Sequence, residues 1–243
     1  MRYFAMPSCM RFPQTLLVSK SIGFGILIAS VFALSSCQSI STKVDAIMEH
    51  DDVPQLSREQ KEAFTAFKAN QFTEAIALFE AAIAMETDND LKAKLYNGLG
   101  SSHSELDQRT QAALAFKESL QINPNNAQVW VNLGIIQRLN GDYEEALKSY
   151  EAALLLDPTL ATAHSSIGSL RVLQGQPELA ISAFKDAIAL DETIAVTHGN
   201  LALAYAMVSQ FEQAQASLEQ ALSLGYENGD LIQEKISSLK NKS

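Results

Sequence analysis

Cysteine is nearly missing: Cys9 and Cys37 are the only two in 243 residues. If everything before Cys37 is removed, one thiol remains and no internal disulfide can form. Positive charge is scarce as well. Residues 1–36 hold Arg2, Arg11 and Lys20 and no acid, so the remainder carries 15 Lys and Arg against 28 Asp and Glu, a net of −13. A body this acidic avoids nucleic-acid phosphates and rests poorly against anionic lipid, while its charge favours solubility. The apolar run at residues 21–34 (SIGFGILIASVFAL) has 14 residues, short of the roughly 20 that a membrane-spanning helix needs. A glycine-rich phosphate loop, a GxSxG element and an HExxH pair are also missing. Together these absences predict a protein that is not an enzyme and carries no cofactor or metal. With 47% hydrophobic residues, the chain has enough apolar mass for one elongated domain.

What the chain does have is repetition. In residues 127–160 (AQVWVNLGIIQRLNGDYEEALKSYEAALLLDPTL), Trp130, Leu133, Gly134, Gly141, Tyr143, Ala146, Tyr150, Ala153 and Pro158 stand at places 4, 7, 8, 15, 17, 20, 24, 27 and 32 of a 34-residue unit. That spacing predicts two antiparallel helices with a turn at Asn140-Gly141 and a stop at Asp157-Pro158. Gly134, Ala146 and Ala153 let the helices approach, and Trp130, Leu133 and Tyr150 fill the space beside them. Shifts of 34 extend the register to residues 161–194 and 195–228, and backwards to 93–126. Before Asp90-Leu91-Lys92, residues 56–89 form a fifth, degenerate unit with Glu62 at place 7. A terminal unit covered by solvent tolerates such a residue.

The agreement of several independent places resembles the tetratricopeptide repeat. The resemblance implies an all-α fold, a solenoid of five helix-turn-helix repeats over 56–228. Residues 229–243 are expected to add a capping helix and tail. Asp230 and Gln233 have capping-box spacing, and Ile232, Ile236 and Leu239 form one stripe that would cover residues 210–224.

The amino terminus reads as an address. Lys20 precedes the apolar run, which ends in Leu34-Ser35-Ser36-Cys37. This resembles the lipobox of bacterial lipoproteins, and the resemblance implies a signal peptide at 1–36 and a diacylglycerol on the Cys37 sulfur. Several acyl chains hold a protein far more firmly than one. An uncleaved signal anchor and ordinary cleavage nearby, leaving a free Cys37 thiol, are the competing readings, and Met6 and Met10 are alternative starts that would shorten the leader. Gln38 in place of Asp implies, by the same resemblance, transfer outward, so the expected location is the bacterial envelope, at the outer membrane and facing the periplasm. Residues 38–55 then form a tether able to extend about 60 Å at ~3.3 Å per residue.

His164 and His198 share place 4 with Trp130 and Tyr96, which predicts flat side chains packed between helices rather than a metal pair. The tetratricopeptide resemblance also implies a groove lined by places 2, 5, 9, 12 and 13 of the first helices. Of its 25 positions four are charged (Lys68, Lys94, Arg138 and Glu105), giving +2 in an otherwise acidic chain. The positions expected to bind a partner are Asn97, Ser101, Val131, Ile135, Arg138, Leu139, Ser165, Ser169, Leu173, Leu203 and Met207. The expected partner is a protein or peptide segment, with membrane contact through the lipid on Cys37 and no nucleic acid. The leading expectation is an adapter or assembly factor of the envelope. A pilotin-like assembly lipoprotein and an accessory subunit of a cell-wall enzyme are the alternatives.

Overall fold

A computed structural model describes residues 56–241. The expected signal peptide, the expected lipidation of Cys37 and the expected tether lie outside these residues. Every regular element among those described is an α-helix: α1 (Arg58–Lys68), α2 (Phe72–Met85), α3 (Asn89–Glu105), α4 (Arg109–Ile122), α5 (Ala127–Asn140), α6 (Tyr143–Leu156), α7 (Ala161–Leu173), α8 (Pro177–Leu190), α9 (Ala195–Met207), α10 (Phe211–Ser223) and α11 (Gly229–Lys240). The fold is therefore all-α, of the tetratricopeptide type. The helices fall into two compact units, one running to Asp142 and the other starting at Tyr143.

In the first unit α1 packs on α2, α3 on α4, and α5 lies against α4. Helix α1 opens on a capping box: the Ser57 hydroxyl accepts from the Gln60 amide (3.3 Å), and the Gln60 side chain accepts from the Ser57 amide (2.7 Å). Two otherwise orphaned donors are satisfied this way. Glu62, the misfit at place 7, is exposed and pairs with Arg58 at 2.7 Å, so its charge never enters the core. Residues 90–92 are no linker. Asp88 accepts from the Leu91 amide (2.8 Å) and starts α3 at Asn89, giving that helix an extra turn and burying Leu91.

The core of this unit is aromatic. Phe64 meets Phe79 edge-on with centroids 5.1 Å apart, and Phe67 meets Phe72 at 5.5 Å. Gly98 and Gly100 lie against the rings of Phe79 and Phe116, where an added Cβ would stand 2.5 and 2.7 Å away. Place 27 of the second repeat is Ser119 rather than alanine, and its hydroxyl donates to the Ala93 carbonyl at 2.7 Å, fully inside the protein.

In the second unit α7 packs on α8 and α9 on α10, α6 lies against α7, and α11 lies against both α9 and α10. Ile232 and Ile236 are buried and Leu239 packs beside them. The cap thus covers the first helix of the last pair as well as residues 210–224. Tyr226 helps: its ring lies against Gly199, where a Cβ would come within 2.8 Å. Burial pushes the Tyr226 hydroxyl up to about 12. The capping box expected at Asp230 does not form, because α11 starts earlier, at Gly229, and its N-cap Asn228 makes no side-chain capping bond. A Cβ on Gly229 would stand 2.4 Å from Cδ2 of Leu222, so any larger residue at this start must push that side chain aside. Asp230 instead occupies the first turn, where a carboxylate complements the helix dipole.

One turn recurs throughout. Place 15 has positive φ in every repeat: Asn70 (58°), Asp107 (56°), Gly141 (88°), Gly175 (70°) and Ser209 (60°). The amide of place 16 then reaches back to the carbonyl of place 11, each time at 2.9 Å: Gln71 to Ala66, Gln108 to His103, Asp142 to Gln137, Gln176 to Arg171 and Gln210 to Tyr205. This is the six-to-one bond of a Schellman turn, and it ends each first helix. Ser209 bears the conformation without the help that Asn or Gly gives, a strain of about 1–2 kcal/mol.

Candidate functional site

The first helices are linked by buried amides and hydroxyls. In the first unit Gln128 Nε2 donates to Asn132 Oδ1 (3.0 Å), and Asn132 Nδ2 donates to Asn97 Oδ1 (3.2 Å), joining α5 to α3. In the second unit Asn200 Nδ2 donates to the Ser169 hydroxyl (3.2 Å), which itself donates to the Ser165 carbonyl (3.0 Å). The Ser165 and Thr197 hydroxyls share a bond of 2.9 Å. Asn132 and Asn200 occupy the same place, 6, in the third and fifth repeats. That recurrence was readable in the sequence, but place 6 was not among the expected groove positions.

These bonds change how the expected binding residues are read. Asn97, Ser165 and Ser169 are buried and use their polar atoms inside the protein. Ser101 and Val131 are fully buried, and Ile135 and Arg138 nearly so. On α5, Val129, Leu133 and Ile136 face the Phe116 cluster. Val131, Ile135 and Arg138 follow the same i, i+4, i+7 spacing on the opposite side, so this helix is buried on two faces. Leu203 is a core residue, packed with Val172, Tyr205, Tyr226, Ile232 and Ile236. Val131, Ile135 and Leu203, all among the positions expected to bind a partner, are therefore core residues in this structure. On α5 one apolar face packs on α4, the second helix of the repeat before, and the opposite face is buried as well; a groove register does not separate these.

Three expected positions keep part of their surface open. Leu139 packs beside the Phe116 cluster, and its carbonyl accepts from Arg109 Nη1 at 2.9 Å. Leu173 and Met207 both rest half-buried on the core of the second unit. They hold place 13 of successive repeats, at the carboxyl ends of α7 and α9.

The histidines serve structure in a way the sequence only half revealed. His164 Nε2 lies 3.1 Å from the Pro158 carbonyl, and His198 Nε2 lies 2.9 Å from the Glu192 carbonyl. Trp130 Nε1 donates to the Pro124 carbonyl at 2.8 Å. In the third, fourth and fifth repeats place 4 thus holds a flat ring whose nitrogen reaches the carbonyl of place 32 of the repeat before. Among the described residues, no group of three or more His, Cys, Asp or Glu is placed to hold a metal ion, and no helix is long and apolar enough to cross a membrane. Glu105, the last residue of α3, is buried, and burial pushes its carboxyl up to about 7.

Two family models, each described as a tetratricopeptide repeat, match residues 61–127 and 125–193. Curated proteins give no match. Solved structures do. A thermophilic tetratricopeptide protein of Thermus thermophilus is 21% identical with a TM-score of 0.61, over 74% of this chain and 96% of that one. A crystal structure of MamA is 16% identical with a TM-score of 0.57, over 73% and 99%. MamA from Desulfovibrio magneticus is 20% identical with a TM-score of 0.57, over 68% and 92%. At these identities the likeness is one of fold.

Proposed function

Because this chain belongs to the tetratricopeptide repeat family, we propose that it is a non-enzymatic adapter or assembly factor, held at the bacterial outer membrane by lipid on Cys37 and facing the periplasm. The observation that carries the binding role is the pair Leu173 and Met207, apolar and half-open at equivalent ends of neighbouring first helices. Apolar side chains kept at a water boundary by a repeat are natural anchors for an amphipathic segment. The anchoring role rests on Leu34-Ser35-Ser36-Cys37 after an uncharged run.

The test of the binding role is the double change Leu173→Asp with Met207→Asp, followed by cross-linking and co-purification from native membranes. Interface anchors typically cost at least ~2 kcal/mol each when lost, so the partner captured by the parent should disappear while the circular dichroism spectrum is retained. Undiminished capture by a folded double variant rejects this face. The change Ile135→Asp is unsuited to the purpose, since that side chain is buried and a charge there attacks the fold.

The anchor is tested separately. Cys37→Ser should abolish acyl incorporation and release the protein from the membrane fraction. A variant that stays acylated sinks the lipobox reading. One that stays bound without ever having been acylated identifies a signal anchor instead.

A further inference from the structure

A groove opens on the side of the first repeat that faces backwards along the array. On α5, Val129, Leu133 and Ile136 hold places 3, 7 and 10 and pack on the second helix of the repeat before. Ala115, at place 23 of the second repeat, likewise packs into the aromatic core of the first. In the first repeat no described element stands in front of these places. Arg58, Glu62 and Thr65 hold places 3, 7 and 10 and are exposed, and Leu78 holds place 23. With Lys61, Ala66 and Glu74 they line one groove of about 580 Å³ between α1 and α2.

The floor of that groove is apolar and its rim is charged. Ala66 is buried, and Leu78 rests half-buried against the aromatic core. Place 23 is small in the other four repeats, as Ala115, Ser149, Ala183 and Ser217. A leucine there carries its apolar end into the groove, where no described element covers it. On the rim Arg58 pairs with Glu62, while Lys61 and Glu74 take part in no salt bridge among the described residues.

The chain itself supplies a fitting occupant. Residues 40–50 (ISTKVDAIMEH) place Ile40, Val44, Ile47 and Met48 at i, i+4, i+7 and i+8, a single apolar stripe at helical spacing, and Asp45 and Glu49 lie off it. An isolated helix of about 11 residues is marginal in water, so its stripe needs a surface to cover. Residues 51–55 (DDVPQ) carry the turn formers Asp and Pro and lead straight to Arg58 on the groove's edge. Five residues extend about 17 Å and α1 is about 16 Å long, so a chain preceding α1 can reverse and lie along it. We propose that residues 40–50 fold as an amphipathic helix into this groove, antiparallel to α1, with Val44, Ile47 and Met48 over Ala66 and Leu78. Docked, the helix is separated from Cys37 by Gln38 and Ser39 alone, which cuts the reach of the tether from about 60 Å to about 10 Å. That shortening rests on the lipid anchor, whereas the docking does not.

The experiment is hydrogen exchange on the full chain, read by mass spectrometry. Amides of residues 44–50 should exchange about tenfold or more slowly than in an unstructured chain. Leu78→Asp changes a half-exposed side chain, and should return residues 44–50 to the unstructured rate while α3 to α11 keep their protection. Val44→Asp with Ile47→Asp should do the same from the other side of the contact, and should lower the protection of α1 about threefold or more. Cys37→Ser, and separately Leu173→Asp with Met207→Asp, should leave the protection of residues 44–50 unchanged, so failure of the anchor or of the binding face does not count against the docking. Unprotected amides at 44–50 in the parent overturn the proposal. So does protection that survives Leu78→Asp, which puts the stripe on another surface such as lipid, and so does protection that rises with protein concentration, which assigns it to a second copy. Should Leu78→Asp unfold the first repeat, the Val44→Asp, Ile47→Asp variant decides, and unchanged protection of α1 there rejects the site.

Discussion

Gly168→Ala is expected to destabilise the second unit although alanine is the better helix former. The gain in helix propensity is about 1 kcal/mol. Against it, the new Cβ would stand 2.6 Å from Cε1 and 2.7 Å from Cδ1 of Phe184, whose ring is fully buried. A ring held on all sides cannot step back, and overpacking of this kind costs ~1–3 kcal/mol or more. The net expectation is a lower thermal midpoint, with the loss confined to residues 143–241 in hydrogen exchange. The fifth repeat shows the remedy, since Ala202 and Leu218 occupy the places that Gly168 and Phe184 hold in the fourth. Phe184→Leu should therefore be less harmful when combined with Gly168→Ala than when made alone. A double-mutant cycle measures this directly, with a favourable coupling of about 0.5–3 kcal/mol expected for side chains in contact. Strict additivity would mean that the two positions do not press on each other.

The second large effect is set by pH. Glu105 is buried at the carboxyl end of α3, and its folded pKa is raised from 4.5 to about 7 by burial. The folded state therefore favours the protonated form. The associated stability is fully present below about pH 4.5, is lost as pH rises, and changes no further above about 7, where both states are ionised. The upper limit is about 3 kcal/mol, from ~1.4 kcal/mol per pH unit over that window. Glu105→Gln keeps the shape and cannot ionise. The urea midpoint of the variant should match the parent near pH 4.5, pull ahead of it between about 5 and 7, and keep a constant lead above that. A lead that does not grow across the window would place the carboxyl in a setting where ionisation is free.

The repeat was legible because its places are fixed by contact. Alanine at place 20 is fully buried in all five repeats, as Ala75, Ala112, Ala146, Ala180 and Ala214, and such a place tolerates little else. The helix starts at residues 127, 161 and 195 follow from the same spacing. The start of α3 was not legible, since it depends on one side-chain cap, Asp88 to Leu91, outside the repeat grammar. The burial of the expected groove places was read least well. Leu203 and Leu173 are both apolar and both at nominal groove places, yet one is core and the other half-open. What separates them is the place: place 9 is buried in all five repeats, as Phe64, Ser101, Ile135, Ser169 and Leu203, whereas Leu139, Leu173 and Met207 at place 13 keep part of their surface open.

The ring bonds at place 4 bear on how the chain folds as it is made. Trp130 to Pro124, His164 to Pro158 and His198 to Glu192 each close a loop of six residues across a repeat boundary. Such contacts are local in sequence, and low separation speeds folding. Each can form once the first turns of the incoming helix have emerged, while the second helix of that repeat is still inside the ribosome. A nascent repeat can therefore be aimed at its predecessor before the rest of it is free to fold, consistent with assembly from the amino end.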